Sequence, residues 1–306
     1  MSGAIPEFLE VAGWGEADHA PLAGDASARR YVRLRKGDNS AILMIAPPED
    51  RAAFDAFLAI ALRLRDAGLS APDILSARPG EGLMLLEDLG DQSFAAPDLP
   101  PLAWKTAVDV LIHLAREGRD WAVPRMTPAV MAKMTEIALP QDERAVVALR
   151  AMEATFAQHF TRPPIAALRD FHAENLLWLP ERAGVARVGL LDFQDAVMAP
   201  PGYDLISLTH DARRDMAADL QAALSARYAE GLGLDPEDFA AECALLIFQR
   251  NLRILGVFRR LARARGKPAY LNHLPRVFGH VEAALRHPAL RDLAREMAPL
   301  MPGLAP

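Results

Sequence analysis

The segment that most constrains this chain is Leu168-Arg169-Asp170-Phe171-His172-Ala173-Glu174-Asn175, followed by Leu190-Leu191-Asp192-Phe193-Gln194-Asp195. Between the two lie apolar runs at 176–179 and 185–191, set around Pro180-Glu181-Arg182-Ala183-Gly184, which is the signature of a hairpin. A hairpin folds the chain back, so Asp192 at the end of the second strand falls beside Asn175 at the start of the first. An Asp and an Asn five apart, with a second Asp returned to them, form the inventory that phosphoryl transfer requires. One carboxylate receives the acceptor hydroxyl's proton, and an amide with a carboxylate holds Mg²⁺. The spacing thus predicts Asp170 as the base and Asn175 and Asp192 as metal ligands. A metal-hydrolase reading through Asp170, His172 and Asp192 lacks a second ligand at close spacing to His172.

Composition sets the outer bounds. At 306 residues, 51% apolar and 24% charged, the chain is long enough for two lobes and has the make-up of an ordinary globular enzyme. Acidic residues exceed basic ones by 40 to 34, a net charge of −6, which disfavours a nucleic-acid partner. The single cysteine, Cys243, lies in an apolar helical pattern and reads as a buried thiol. Residues 1–7 lack the basic and apolar regions of a signal peptide, and no apolar run approaches the ~20 residues of a membrane span. The expectation is a cytoplasmic, monomeric protein with no membrane partner.

The N-terminal half supplies a nucleotide lobe. A short amphipathic helix is expected within 6–18. A small-residue turn at 23–28 leads into an alternating strand at 30–34, a hairpin turn at 36–39 and a buried strand at 41–45. A helix is expected over 49–67, closed by Gly68, then strands at 73–77 and 83–86. The last strand runs into Glu87-Asp88-Leu89-Gly90, where a two-lobed kinase places the hinge whose backbone hydrogen-bonds adenine. Glu87 and Leu89 are the expected hinge positions, near 87–91. The expected division is a nucleotide lobe at 1–96 and a catalytic, acceptor-binding lobe at 97–306, with helices over 102–117, 128–137 and 142–159.

Arg169 to Leu177 resembles the His-Gly-Asp-x-His-x-x-Asn-x-Leu signature of the aminoglycoside phosphotransferase and choline kinase superfamily. Leu191-Asp192-Phe193-Gln194-Asp195-Ala196, then Pro201-Gly202-Tyr203-Asp204-Leu205, resembles its metal motif and downstream Tyr-Asp-Leu. Gly24 to Tyr31, Met44 to Glu49, Leu85 to Gly90 and Gln249 to Gly256 are similar to one branch, the bacterial anomeric kinases of N-acetylmuramate and N-acetylglucosamine. The resemblance spans about residues 22–280. It implies an α+β, protein-kinase-like two-lobed fold with a small antiparallel sheet and a mainly helical lobe. It also implies ATP and Mg²⁺ as cofactors, an amino sugar as the small-molecule substrate, and transfer of the γ-phosphate to the anomeric hydroxyl in cell-wall sugar salvage. Asp170, Asn175 and Asp192 keep the roles above, and Asp204 is implied to brace the catalytic loop.

The departures from the pattern matter. Leu168 stands where the superfamily has His, and Met44 stands where a phosphate-binding Lys is expected. Arg29, Arg30 and Arg33 are the candidate replacements, with Arg30, leaving the Ser27 turn, as the expected phosphate contact. His172, Glu174 and Asp195 lie close enough in sequence to meet sugar hydroxyls. A polar helical segment is expected from 207 to 215. A long helix should start at Asp235-Pro236 and run to about 265. On it Arg250 and Arg253, three apart, share a face, and Arg250 is expected to meet the lactyl carboxylate. Two alternatives stand beside this reading: a kinase of another small alcohol or aminoglycoside, and a non-catalytic pseudokinase prompted by the absent Lys.

Overall fold

The computed structural model describes residues 3–22, 29–264 and 266–306. Along the chain come α1 (Ala4–Val11), β1 (Asp18–Pro21), β2 (Arg30–Lys36), β3 (Asn39–Ile45), α2 (Arg51–Asp66), β4 (Ile74–Arg78) and β5 (Leu83–Glu87). Next are α3 (Pro101–Glu117), α4 (Pro128–Met134), α5 (Glu143–His159), β6 (Ile165–Ala167), β7 (Leu176–Trp178), β8 (Val188–Leu190) and β9 (Val197–Ala199). The remainder is α6 (Tyr203–Thr209), α7 (Ala218–Leu232), α8 (Pro236–Ala264), α9 (Leu274–Leu285), α10 (Arg291–Met297) and α11 (Met301–Leu304).

The chain groups into two compact units, Met1–Val110 with Ala173–Ala196, and Leu111–His172 with Val197–Pro306. This grouping is not the single division after residue 96. The first unit runs on to Val110 and takes back the segment that carries Asn175 and Asp192. Side chains and backbone in that segment explain why it returns. Leu190 N–H bonds the Ser70 carbonyl at 2.9 Å, and the Ser70 hydroxyl donates to the Ala186 carbonyl at 2.7 Å. The Phe193 ring stacks on Phe57 of α2 at 4.7 Å between centroids, a pairing worth about 1 kcal/mol beyond the area it buries.

The first unit is built on a five-stranded antiparallel sheet in the order β1-β2-β3-β5-β4. Alternation assigns its two faces. Leu34, Ala41, Leu43, Leu83 and Leu85 pack with Phe8 and Leu9 of α1. Ile42 and Leu86, of opposite parity, line a cavity on the other face. The Lys36–Asn39 turn closes the β2–β3 hairpin, with Gly37 at φ +59° as such a tight connection requires.

The second unit is helical, with α4, α5, α6, α8, α9, α10 and α11 sharing one apolar core. The α8 start follows from its sequence. Pro236 takes the first position, and the Asp235 carboxylate accepts from the N–H groups of Glu237 and Asp238 at 3.0 and 2.9 Å. Gly256 allows the α8 backbone to meet residues 137–138, since a Cβ there would lie 2.6 Å from the Ile137 carbonyl. Two sequence expectations differ from the structure. The 207–215 segment is helical only to Thr209, because the Asp211 carboxylate accepts from Arg213 N–H and turns the backbone instead. β9, which pairs with β6, has no counterpart among the expected elements; three residues carry too short a pattern to announce a strand.

Candidate active site

The first unit holds a cavity of about 490 Å³ between the sheet face and the β7–β8 hairpin. Its walls mix apolar Ile42, Phe57, Leu86, Leu177 and Leu191 with Arg29, Tyr31, Arg33, the 87–91 segment, Asn175 and Asp192. Residues 29, 31 and 33 alternate along β2 and the residue before it, and so present one face. Arg33 is fully committed: its guanidinium pairs with Asp88 at 2.7 Å and with Asp91 at 2.7 Å, tying β2 to the segment after β5. The hydrogen bond from Arg33 holds the Asp91 carboxyl below its usual range. The Glu87 side chain pairs with Arg182 of the hairpin. Arg29 is buried, with the Asp50 carboxylate at 3.9 Å. Burial raises the Tyr31 phenol, and the charge and hydrogen bond of Arg29 partly offset this.

Hairpin register explains how Asn175 and Asp192 converge. Leu176 pairs with Leu190, and Leu191 N–H bonds the Asn175 carbonyl at 3.0 Å, so both residues flank the open end of β7 and β8. Asp192 has φ +57°, a left-handed conformation that Asp tolerates better than most residues. Its carboxylate is exposed and accepts from the Gln194 amide at 2.8 Å.

In the second unit, Asp170 follows a backbone clamped from both sides. Arg169 has φ +72°, a conformation that costs a bulky residue about 1–3 kcal/mol. Its neighbours over-determine it. The Asp204 carboxylate accepts from Leu168 N–H at 2.5 Å and from Arg169 N–H at 3.0 Å. The Arg169 carbonyl accepts from Arg250 at 3.1 Å and from the Ser207 hydroxyl at 3.1 Å, and Arg250 also donates to Ser207 at 2.6 Å. The guanidinium completes its contacts 4.8 Å over the Tyr203 ring. Burial raises the Asp204 carboxyl to about 6, opposed by the two backbone donors and Arg250. His172 is half-buried, and burial with nearby Arg213 lowers its pKa despite Asp211 and Asp170.

The family model described as the phosphotransferase enzyme family matches residues 18–243. The chain belongs to the phosphotransferase enzyme family. It is 37% identical to the N-acetylmuramate/N-acetylglucosamine kinase of Caulobacter vibrioides, over 94% of this chain and 93% of that protein. It is 31% identical to the protein of the same name from Pseudomonas aeruginosa, over 99% and 95%. Among solved structures, a choline/ethanolamine kinase family protein from Mesorhizobium loti matches with a TM-score of 0.66 and 18% identity, over 97% of this chain and 99% of that one. An aminoglycoside phosphotransferase from Streptomyces rimosus, solved with ADP and streptomycin, matches with a TM-score of 0.55 and 18% identity, over 79% and 97%. The kinase-like α+β fold and the enzyme class expected from the sequence both hold.

Within this phosphotransferase, the structure brings Glu87, Leu89, Asn175 and Asp192 to one cavity. Ser27 lies outside the described residues. Met44 is fully buried and Arg30 is exposed; neither lines the cavity, whereas Arg29 and Arg33 do. Arg250 is not poised for a ligand: it is buried and holds the Arg169 carbonyl and Ser207, and no signal in the sequence marks it for that contact 81 residues away. Glu174 and Asp195 are exposed and group with the first unit, while His172 groups with the second. Sequence reasoning missed Asp211, a buried carboxylate whose charge acts on His172, and the Asp88–Arg33–Asp91 lock. Two acids within the 87–91 segment, opposite a strand arginine, would have been the signal for the lock. Among the described residues, no cluster of three or more His, Cys, Asp or Glu is arranged to hold a metal.

Proposed function

We propose that this phosphotransferase is an ATP-dependent sugar kinase that phosphorylates the anomeric hydroxyl of N-acetylmuramate and N-acetylglucosamine. The observation that carries the kinase reading is the meeting of the 87–91 segment with Asn175 and Asp192 in a single cavity. Its volume and apolar walls suit an adenosine, with the backbone of Glu87 and Leu89 offered to the base. The identity of the acceptor rests on the likeness to kinases of that name over nearly the whole chain.

The donor set at the hairpin end fits Mg²⁺: an amide oxygen from Asn175 and a carboxylate from Asp192, both hard ligands. Bound there, the ion supplies charge neutralisation for the phosphates. Without a β3 lysine, Arg29 is the cation we assign to the phosphates, since it is buried in the cavity wall and Arg33 is committed to Asp88 and Asp91. Asp170 accepts the proton of the acceptor hydroxyl, and the clamped Arg169 peptide fixes where its carboxylate starts from. His172, Glu174 and Asp195 are the polar groups we assign to sugar hydroxyls. The same reading makes the chain a cytoplasmic monomer serving cell-wall sugar salvage.

The test is ADP release across a panel of amino sugars, choline and aminoglycosides, with Asp170→Asn as the control. Turnover of both N-acetylated sugars is expected. Turnover of choline or an aminoglycoside alone overturns the acceptor assignment, and no turnover at all overturns the kinase reading.

A further inference from the structure

Two arginines lie one turn apart on the same face of α8, and the structure treats them differently. Arg250 is saturated by the Arg169 carbonyl, Ser207 and the Tyr203 ring. Arg253 is half-buried, yet among the described residues it has neither a hydrogen bond nor an ion pair. Its charged surroundings are Arg169, Arg250 and Asp170, beside the Tyr203 ring, so like charges outnumber the one carboxylate. Burial, with those like charges, holds its pKa below the ordinary arginine value. A cation taken largely out of water without a counter-charge costs free energy that the rest of the fold must carry. Such a group at the edge of the Asp170 loop is suited to an anion that arrives with the acceptor.

We propose that Arg253 recognises a carboxylate on the acceptor, pairing with the lactyl group of N-acetylmuramate while the anomeric hydroxyl is presented to Asp170. This rests on the sugar-kinase reading. N-acetylglucosamine has no such carboxylate, so Arg253 separates the two acceptors without serving the transfer itself. A planar guanidinium matches a carboxylate through two parallel hydrogen bonds, a match that an ammonium group cannot reproduce.

The experiment measures kcat and KM for both sugars in the wild type, Arg253→Gln and Arg253→Lys, with thermal melts of each. For Arg253→Gln we expect KM for N-acetylmuramate to rise about 10- to 100-fold, the range for a lost charged hydrogen-bond pair. The change for N-acetylglucosamine should stay within about threefold, kcat should hold, and the melting temperature should be unchanged or higher. Arg253→Lys should recover part of the N-acetylmuramate loss. Equal losses on both sugars, or no loss on either, overturn the inference while leaving the kinase reading intact. A wild-type chain that phosphorylates neither sugar overturns both.

Discussion

The two units hold the proposed reactive groups in opposite ways. In the first, Asn175 and Asp192 sit at the open end of a short hairpin. Local register sets them, and their side chains are left accessible in a cavity wall. In the second, Asp170 depends on a backbone kept in a left-handed turn by groups from distant helices: Asp204 and Ser207 of α6 and Arg250 of α8. A hairpin can present two ligands cheaply because strand pairing is already satisfied there. A strained loop needs outside donors and acceptors, and every one of them becomes a way to disable the enzyme without touching substrate. Exposed groups of the first kind should be sensitive in binding, and buried groups of the second kind in turnover.

The largest effect that contrast predicts is at Asp170. Asp170→Asn should lower kcat about 10²- to 10⁴-fold in the ADP-release assay while ATP still binds, as loss of a general base does. Next come the braces. Arg250→Met should lower kcat on both sugars alike, by about 10²-fold, and lower stability by about 1–3 kcal/mol, because the Arg169 carbonyl and the Ser207 hydroxyl lose a buried donor. Loss confined to N-acetylmuramate in that variant would instead return Arg250 to the pocket. Arg29→Gln should raise KM for ATP about tenfold and leave the sugar KM alone, whereas Arg30→Ala should change neither beyond about twofold. A reversed ranking would show that the strand's other face meets the phosphates.

Stability against pH tests the buried groups of the second unit without reference to either substrate. Asp204 and Glu242 titrate near 6 and 7 in the folded chain, chiefly through burial, above their unfolded values near 4. The folded state therefore binds the extra protons. The contribution of these groups is fully present below about pH 4 and is lost as pH rises through 6 to 7. Urea unfolding at pH 5 and pH 7.5 should show the decline, and Asp204→Asn should flatten it. An unchanged slope in that variant would mean that Asp204 stays ionised throughout.

Much of the fold was legible because it is local. The 3.6-residue pattern announces α2, α3 and α5, the Asp235-Pro236 pair announces the start of α8, and alternation announces β2, β3 and β5. The same period of two bears on the proposed phosphate cation. Leu34 packs under α1, so the even residues of β2 face that core and the odd ones face the cavity. Arg30 is even; Arg29 and Arg33 are not. Choosing between those two needed the Asp88–Arg33–Asp91 lock, which joins residues more than 50 apart.

The sequence by itself determined the family, the hairpin that brings Asp192 back to Asn175, and the segments from which the proposed catalytic loop and nucleotide hinge are drawn. The family is carried by motif resemblance along most of the chain; the hairpin and those segments rest on spacing within a few dozen residues, where strand period and turn chemistry restrict the chain to few conformations. Only the tertiary structure decided which arginines are occupied. Arg250 and Arg253 are equivalent by helical periodicity, and they differ because the Arg169 carbonyl and Ser207 sit opposite one of them. That choice is made by contacts across 81 and 43 residues of chain, a distance over which a linear pattern carries no geometry.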